Sequence, residues 1–178
     1  MSTGQLQADV GETSRPLWRP PRWASPVSLL ICIAGLGVAS YLTYVHFTDP
    51  ASLACSDSGV INCTRVTTSE QSHFLGIPVA VLGLAFFFGM AVLCLPQLWR
   101  RQERAVRALR LAGVVVGIAM ILYLIAAELF IIEAICLWCT VVHALAFLLF
   151  VVVLAATMSG TTRPAIDDDF DDYDDQDA

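Results

Sequence analysis

The sequence contains no lysine, and charged residues of both signs together make up only 15% of it. Soluble globular domains carry about 25% charged residues. Hydrophobic residues make up 57% of the 178 positions, and the mean hydropathy is +0.69. A soluble domain of this length could not bury so much apolar surface. The scarcity of charge therefore excludes that class and favours a membrane protein.

The acidic residues are concentrated in one block near the C-terminus. Residues 167–175 read DDDFDDYDD, and the rest of the chain is slightly basic although the net charge is -6. A block of like charges repels itself and stays disordered. We therefore expect residues 159–178 to form a disordered acidic tail, and we expect no nucleic-acid partner.

Four continuous apolar runs are each about as long as a membrane-crossing helix. Crossing about 30 Å of hydrocarbon at 1.5 Å per residue takes roughly 20 residues. The runs cover residues 27–47, 77–98, 111–130 and 134–158. They do not alternate, and only helices or closed barrels satisfy backbone polar groups in lipid, so helices are predicted. The predicted fold class is an all-α membrane protein, a four-transmembrane-helix bundle within residues 26–158.

The placement of arginine predicts the orientation of the bundle. Arginines cluster before the first run, between the second and third runs, and after the fourth. Because cytoplasmic segments are enriched in positive residues, both termini, including residues 1–25, are predicted to be cytoplasmic. No Ala-x-Ala site closely follows the first run, so we do not expect it to be a cleaved signal peptide. The expected location is the plasma membrane, as a multi-pass protein.

Two of the six cysteines form a C-x-x-C motif, Cys136 and Cys139, at the start of the fourth run. This spacing places both thiols on one face of a helix and lets them bridge. The positive partial charge of a helix N-terminus favours the thiolate, which is the species that attacks a disulfide. We interpret the motif as a redox pair at the extracytoplasmic face. The alternative is a pair of buried structural thiols.

A second pair, Cys55 and Cys63, lies in the polar loop after the first run, on the same predicted side. The outer compartment is oxidising, so a bridge between them is expected. It is either a static staple or a shuttle, and the nearby C-x-x-C motif favours the shuttle and an electron relay. A zinc or iron–sulfur site built from all four cysteines is the rival, but this pair lacks the tight knuckle usual for zinc, so no metal is expected. Cys32 and Cys94, inside the first two runs, are interpreted as packing residues.

Other polar and aromatic residues near the motif are further candidates. His143 lies one helical turn after Cys139, where it could donate a hydrogen bond to a carbonyl oxygen of a bound ring or supply a proton. It could equally pack between helices. Trp138 suits the aromatic belt at a membrane interface and could also line a ring pocket. Glu128 and Glu133 flank the outer turn, where we expect them to be solvated.

Three motifs occur in a specific order along the chain. They are Cys55-x7-Cys63-Thr64-x-Val66 in the first outer loop, Phe74-Leu75-Gly76-Ile77-Pro78 at the start of the second run, and Cys136-x-x-Cys139 at the fourth. Together they resemble the vitamin K epoxide reductase family, in its bacterial disulfide-forming branch, over about residues 27–158. The resemblance implies a four-helix bundle that holds a quinone near its outer face, capped by the first loop and a short helix.

For the cysteines, the resemblance implies an ordered relay. Cys55 would take electrons from a reduced thioredoxin-fold partner, and Cys63 would pass them to Cys136 by exchange. Cys139 would then reduce the quinone. In the analogous DsbB-type oxidases the C-x-x-C motif follows the first span, and the order of the pairs is the reverse of the order here.

The resemblance also implies contacts with the quinone ring. One comes from the loop before the second span, where Ser72 or His73 stands, and Leu75 in the same loop joins this set. The other lies four residues after the second active cysteine, where vertebrate members have tyrosine and this chain has His143. Trp138 is retained as a candidate for the ring pocket.

Many bacterial members are fused to a thioredoxin-like domain, and this sequence shows none. The expected donor is therefore a separate DsbA-like protein on the outer side. Because every basic residue is arginine, we infer a GC-rich coding sequence of the actinobacterial type, for which menaquinone is the expected acceptor. The predicted function is a quinone-dependent thiol oxidase that supports disulfide formation in secreted proteins. The alternative is a non-enzymatic membrane module with structural disulfides.

Overall fold

The computed structural model describes residues 17–19, 21–55, 59–100, 103–159 and 161–163. These residues form six α-helices: α1 (Ala24–Thr48), α2 (Cys63–Thr67), α3 (Val79–Leu93), α4 (Pro96–Arg100), α5 (Arg104–Ala127) and α6 (Leu137–Met158). A π-helical turn, Glu128–Ile132, continues α5. Two short antiparallel pairs join β1 (Leu17–Arg19) to β4 (Thr161–Arg163) and β2 (His73–Phe74) to β3 (Ile77–Pro78).

The four longer helices α1, α3, α5 and α6 form a bundle. α1 packs against α3 and α6, and α5 packs against α6 and α3. In lipid every backbone polar group must be paired within its own segment, which explains why the apolar runs are helical. Among the described residues, three segments are long and apolar enough to cross a membrane: Ala24–Thr48, Arg104–Ile132 and Leu137–Met158. The prediction of a largely helical membrane protein is confirmed at this level.

The second predicted span is interrupted. Instead of one helix over residues 77–98, α3 ends at Leu93 and α4 begins at Pro96. Proline has no backbone N–H and disfavours helical conformation in the residue before it. Cys94 closes α3 by donating its backbone N–H to carbonyls of the last turn. α3 has 15 residues, which is fewer than the roughly 20 that a crossing takes.

The contact between α1 and α3 depends on one glycine. A Cβ atom added at Gly35 would lie 2.4 Å from the ring of Phe87, and Phe87 is fully buried. Small residues let membrane helices approach closely. Gly35 therefore sets the spacing of these two helices and the position of the Phe87 ring.

The end of the bundle at which α3 ends and α5 begins contains a buried arginine. Arg110 donates from Nη2 to the Leu93 carbonyl at 2.7 Å and stacks over the Trp99 ring at 3.8 Å from its centroid. A cation at this position satisfies a carbonyl that the end of α3 leaves unpaired. Cys32 and Cys94 are fully buried in the core cluster that also contains Trp99.

The segments that flank the bundle in sequence meet in space. β1 precedes α1, β4 follows α6, and their pairing brings the two ends of the transmembrane region together. Of the predicted N-terminal tail (1–25) and acidic tail (159–178), residues 1–16 and 164–178 lie outside the described residues.

Candidate active site

The outer loop contains a disulfide between Cys55 and Cys63, whose Cα atoms are 6.1 Å apart. The expected bridge is present. Asn62 caps α2, because its side-chain oxygen accepts a hydrogen bond from the Arg65 backbone N–H at 2.8 Å. The cap holds Cys63 at the first position of α2, where it is fully buried, whereas Cys55 is half-buried.

A short parallel backbone pairing joins the two segments that carry the cysteine pairs. Ile61 pairs with Ile135. The Asn62 N–H donates to the Ile135 carbonyl at 3.1 Å, and the Ile135 N–H donates back to the outer loop at 2.9 Å. Cys63 follows one side of this pairing and Cys136 follows the other. Both side chains belong to one buried cluster, so the fold brings the two pairs together.

Cys136 is the N-cap residue of α6, just before the membrane-spanning segment. Its Sγ accepts a hydrogen bond from the Cys139 backbone N–H at 3.3 Å, a position usually held by a serine or aspartate oxygen. Both are free thiols; Cys136 is fully buried and Cys139 half-buried. The Cys139 side chain donates to Cys136, and together with backbone N–H groups this holds the pKa of the Cys136 thiol below its ordinary value.

A largely apolar cavity of about 570 Å³ lies beside the C-x-x-C motif, between the helices of the bundle. Cys139 and His143 of α6 contribute to its wall, as do Ser72 and Leu75 of the outer loop. Small-molecule sites in proteins typically measure about 300–1,000 Å³. The cavity is therefore large enough for a ring-shaped ligand in contact with one thiol of the motif.

The hairpin of β2 and β3 forms part of the cavity mouth. Its turn places Leu75 at φ 54° and Gly76 at φ 81°, the positive values that a two-residue hairpin turn requires. Such a conformation is uncommon for leucine. Leu75 is 88% exposed although it also borders the cavity.

Ser72 and His73, the two alternatives for one ring contact, have different positions. Ser72 lies in the cavity wall, whereas His73 is exposed and outside it, with Nδ1 3.1 Å from Ser72 Oγ. The His73 ring lies 5.3 Å from the ring of His46. His46 also lines the cavity, and sequence reasoning missed it because nothing in its apolar surroundings distinguishes it from an interfacial histidine.

Trp138 contacts the outer loop and is outside the cavity wall. Its indole N–H donates to the Ala54 carbonyl at 2.9 Å. The Tyr41 hydroxyl accepts the Ala54 backbone N–H at 3.2 Å, and the rings of Tyr41 and Trp138 are 5.0 Å apart. We name these three residues the loop clamp. It fixes the backbone next to Cys55 against α1 and α6.

Glu128 is a member of the site that sequence reasoning placed wrongly. It is only 7% exposed and lines the cavity, and its carboxyl group faces the backbone N–H of Cys136. Glu133 is exposed, as expected. The position of Glu128 inside an apolar run was the available signal, because ionisable residues within membrane segments tend to be functional.

Within the described parts of the chain, no group of three or more histidine, cysteine or acidic side chains is arranged to hold a metal ion. The sequence profile described as the Vitamin K epoxide reductase family matches residues 26–154. The match extends from the start of α1 almost to the end of α6 and includes all four cysteines of the two pairs. A match over most of the chain shows membership, and this family implies oxidoreductase activity. The chain therefore belongs to the vitamin K epoxide reductase family.

Proposed function

We propose that the chain is a protein-dithiol:quinone oxidoreductase that reoxidises a DsbA-like thiol oxidase outside the plasma membrane. The partner's dithiol would reduce the Cys55–Cys63 disulfide and become a disulfide itself. The two new thiols would then reduce a Cys136–Cys139 disulfide by exchange. The inner dithiol would finally give two electrons and two protons to a quinone, with menaquinone as the expected acceptor.

The observation that carries this proposal is the pairing of Ile61 with Ile135. It places Cys63 beside Cys136 in one buried cluster, while Cys139 borders the cavity. Exchange needs a thiolate that can reach a disulfide sulfur. An arrangement in which the two pairs were merely structural staples would not require that they adjoin.

The cavity supports a quinone as the acceptor. Its wall is mostly apolar, as the ring and tail of a lipid-soluble quinone require, with few polar groups. We propose that Ser72 and His143 hydrogen-bond the ring oxygens and that Leu75 contacts the ring. We assign His73 no direct contact, since it lies outside the wall, and we assign Trp138 to the loop clamp.

We also propose the predicted topology, with both termini cytoplasmic and the cysteine pairs at the extracytoplasmic face. The clustering of arginine supports it. α3 and α4 together would provide the fourth crossing of the membrane. α3 contacts both α1 and α5, so it belongs to the same bundle as the three longer helices.

An anaerobic assay tests the proposal. Purified protein receives menaquinone and either a reduced DsbA-like protein or a small dithiol, and quinol formation is followed. We expect Cys139→Ala to abolish quinone reduction with both donors. Cys55→Ala should block the protein donor and spare the small dithiol.

Two outcomes would contradict the proposal. One is quinol formation by Cys139→Ala at the wild-type rate. The other is stoichiometric zinc or iron in the purified protein, bound through the four cysteines. Cys32→Ala is a matched control, because it removes a thiol that lies in a different core cluster.

A further inference from the structure

Glu128 is a buried carboxyl group at the point where the thiols and the cavity meet. It occupies the first position of the π-helical turn, where its backbone carbonyl accepts the N–H groups of Glu133 and Ala134. Its side chain lines the cavity together with Cys139. π-Helical turns are rare and often occur at functional sites.

Burying a carboxyl group in a membrane segment costs free energy. Ionisable residues that are kept at such positions tend to be functional. Among the described residues no cation acts on it; what it faces is the backbone N–H of Cys136. Both sulfurs of the motif are within its electrostatic range. Glu128 is therefore the carboxyl group that acts electrostatically on both reacting sulfurs. A structural ion pair does not explain why it is buried.

We propose that Glu128 transfers protons from the Cys136–Cys139 dithiol to the oxygens of the quinone. This inference rests on the proposed function and says how the protons of the quinone reduction would move. Carboxyl groups that contact reacting atoms are common general acids and bases. The cavity wall is mostly apolar, so few of the side chains that line it can carry a proton.

The step balances within the site. The two thiol S–H bonds break and the Cys136–Cys139 S–S bond forms, so the dithiol loses two electrons and two protons. The quinone gains both electrons, and each of its two oxygens gains a proton to give the quinol. Glu128 accepts the two protons one after the other from the thiols and delivers each to a quinone oxygen, so it is unchanged after the cycle.

The test has to distinguish the ionisation of Glu128 from that of the other titratable groups around it. Cys136 and Cys139 interact with it electrostatically, whereas His143 of α6 and His46 of α1 lie in the same cavity wall. Arg65, the one charged residue of α2, is exposed. Glu133, at the end of the turn, is also exposed.

The test compares three variants in quinone reduction driven by a small dithiol. Glu128→Gln keeps the shape and removes the ionisable carboxyl group, so we expect kcat to fall about 100-fold, the lower end for acid–base catalysis. KM for the quinone should change less than threefold, and one ionisation should disappear from the pH profile of kcat. Glu128→Asp should recover part of kcat. Glu133→Gln, the matched control, should behave as wild type.

A kcat of Glu128→Gln within twofold of wild type, or an unchanged pH profile, would overturn the proposal. If this variant does not fold, wild-type protein is treated with a hydrophobic carbodiimide and the adducts are located by mass spectrometry. Full labelling of Glu128 should stop quinone reduction, and retained activity would overturn the inference. Absence of quinone reduction by wild type would refute the proposed function itself, so the two failures are distinguishable.

Discussion

Replacing Gly35 by alanine should separate α1 from α3 and disturb the cavity. The added Cβ would lie 2.4 Å from Cδ1 and Cε1 of Phe87 and 2.6 Å from Cζ. Ordinary contacts of this kind are 3.4–4 Å, so the deficit is about 1 Å. Phe87 is fully buried and packs against Ala39 and Ile121, which leaves its ring little freedom to move away.

The size of the effect follows from two opposing contributions. Overpacking a dense core by one methyl group costs about 1–3 kcal/mol, and Gly→Ala within a helix returns up to about 1 kcal/mol. Taking the middle of each range, we expect Gly35→Ala to lose about 1–2 kcal/mol of stability. For a protein of this size that corresponds to a decrease in Tm of about 2–8 °C. Because Phe87 also lines the cavity, KM for the quinone should rise.

The assay is thermal unfolding in detergent, combined with quinone-reduction kinetics. Gly37→Ala is the matched control, since it lies on the exposed side of the same helix and its added Cβ would meet nothing within 4 Å. It should be as stable as wild type or slightly more so. Adding Phe87→Leu to Gly35→Ala should recover stability relative to Gly35→Ala. Equal stability of Gly35→Ala and Gly37→Ala would refute the proposed close contact.

Three further predictions concern the site. Trp138→Phe removes the donor to the Ala54 carbonyl, a loss of about 0.5–1 kcal/mol, so hydrogen exchange in the loop should accelerate about 2–5-fold; unchanged exchange would argue against the clamp. Alkylation of reduced Cys136 should be half-maximal at a pH below the ordinary thiol value, because its lowered pKa populates the thiolate at lower pH. Cys139→Ala removes the hydrogen bond that is the leading cause of the lowered Cys136 pKa, so the midpoint should move upward. A downward shift would contradict this cause. His143→Leu removes a hydrogen bond worth about 1 kcal/mol and should raise KM for the quinone about 5-fold in steady-state kinetics, whereas an unchanged KM would exclude the ring contact.

The transmembrane helices could be predicted because in lipid an apolar run of sufficient length has few alternatives to a helix. The predicted limits of the first and fourth runs lie within about three residues of α1 and α6. Two limits differ more: the second run breaks after Leu93, and α5 begins at Arg104 rather than at residue 111. Pro96 is visible in the sequence, but a proline near the end of an apolar run is compatible with a kink, a termination or a second short helix.

Spacing, charge pattern and family resemblance predicted two cysteine pairs that meet on one side of the membrane, but not the backbone pairing that joins their segments. Ile61 and Ile135 are 74 positions apart (135 − 61) and resemble any other apolar residues in the sequence. A similar ambiguity affected the two glutamates. Glu128 and Glu133 are five residues apart, so a regular helix would direct them about 140° from each other. The sequence does not show which of the two faces the bundle; in the structure Glu128 is buried and Glu133, at the end of the π-helical turn, is exposed.

The burial of the four cysteines bears on the order in which they would exchange electrons. Cys55 is half-buried and is the member of the outer pair that a protein partner can approach more easily. Cys63 and Cys136 are fully buried in one cluster, so a large protein cannot reach them directly. Cys139 borders the cavity, where a lipid-soluble acceptor can contact it. Since exchange requires contact between sulfurs, these positions support the proposed order Cys55, Cys63, Cys136, Cys139.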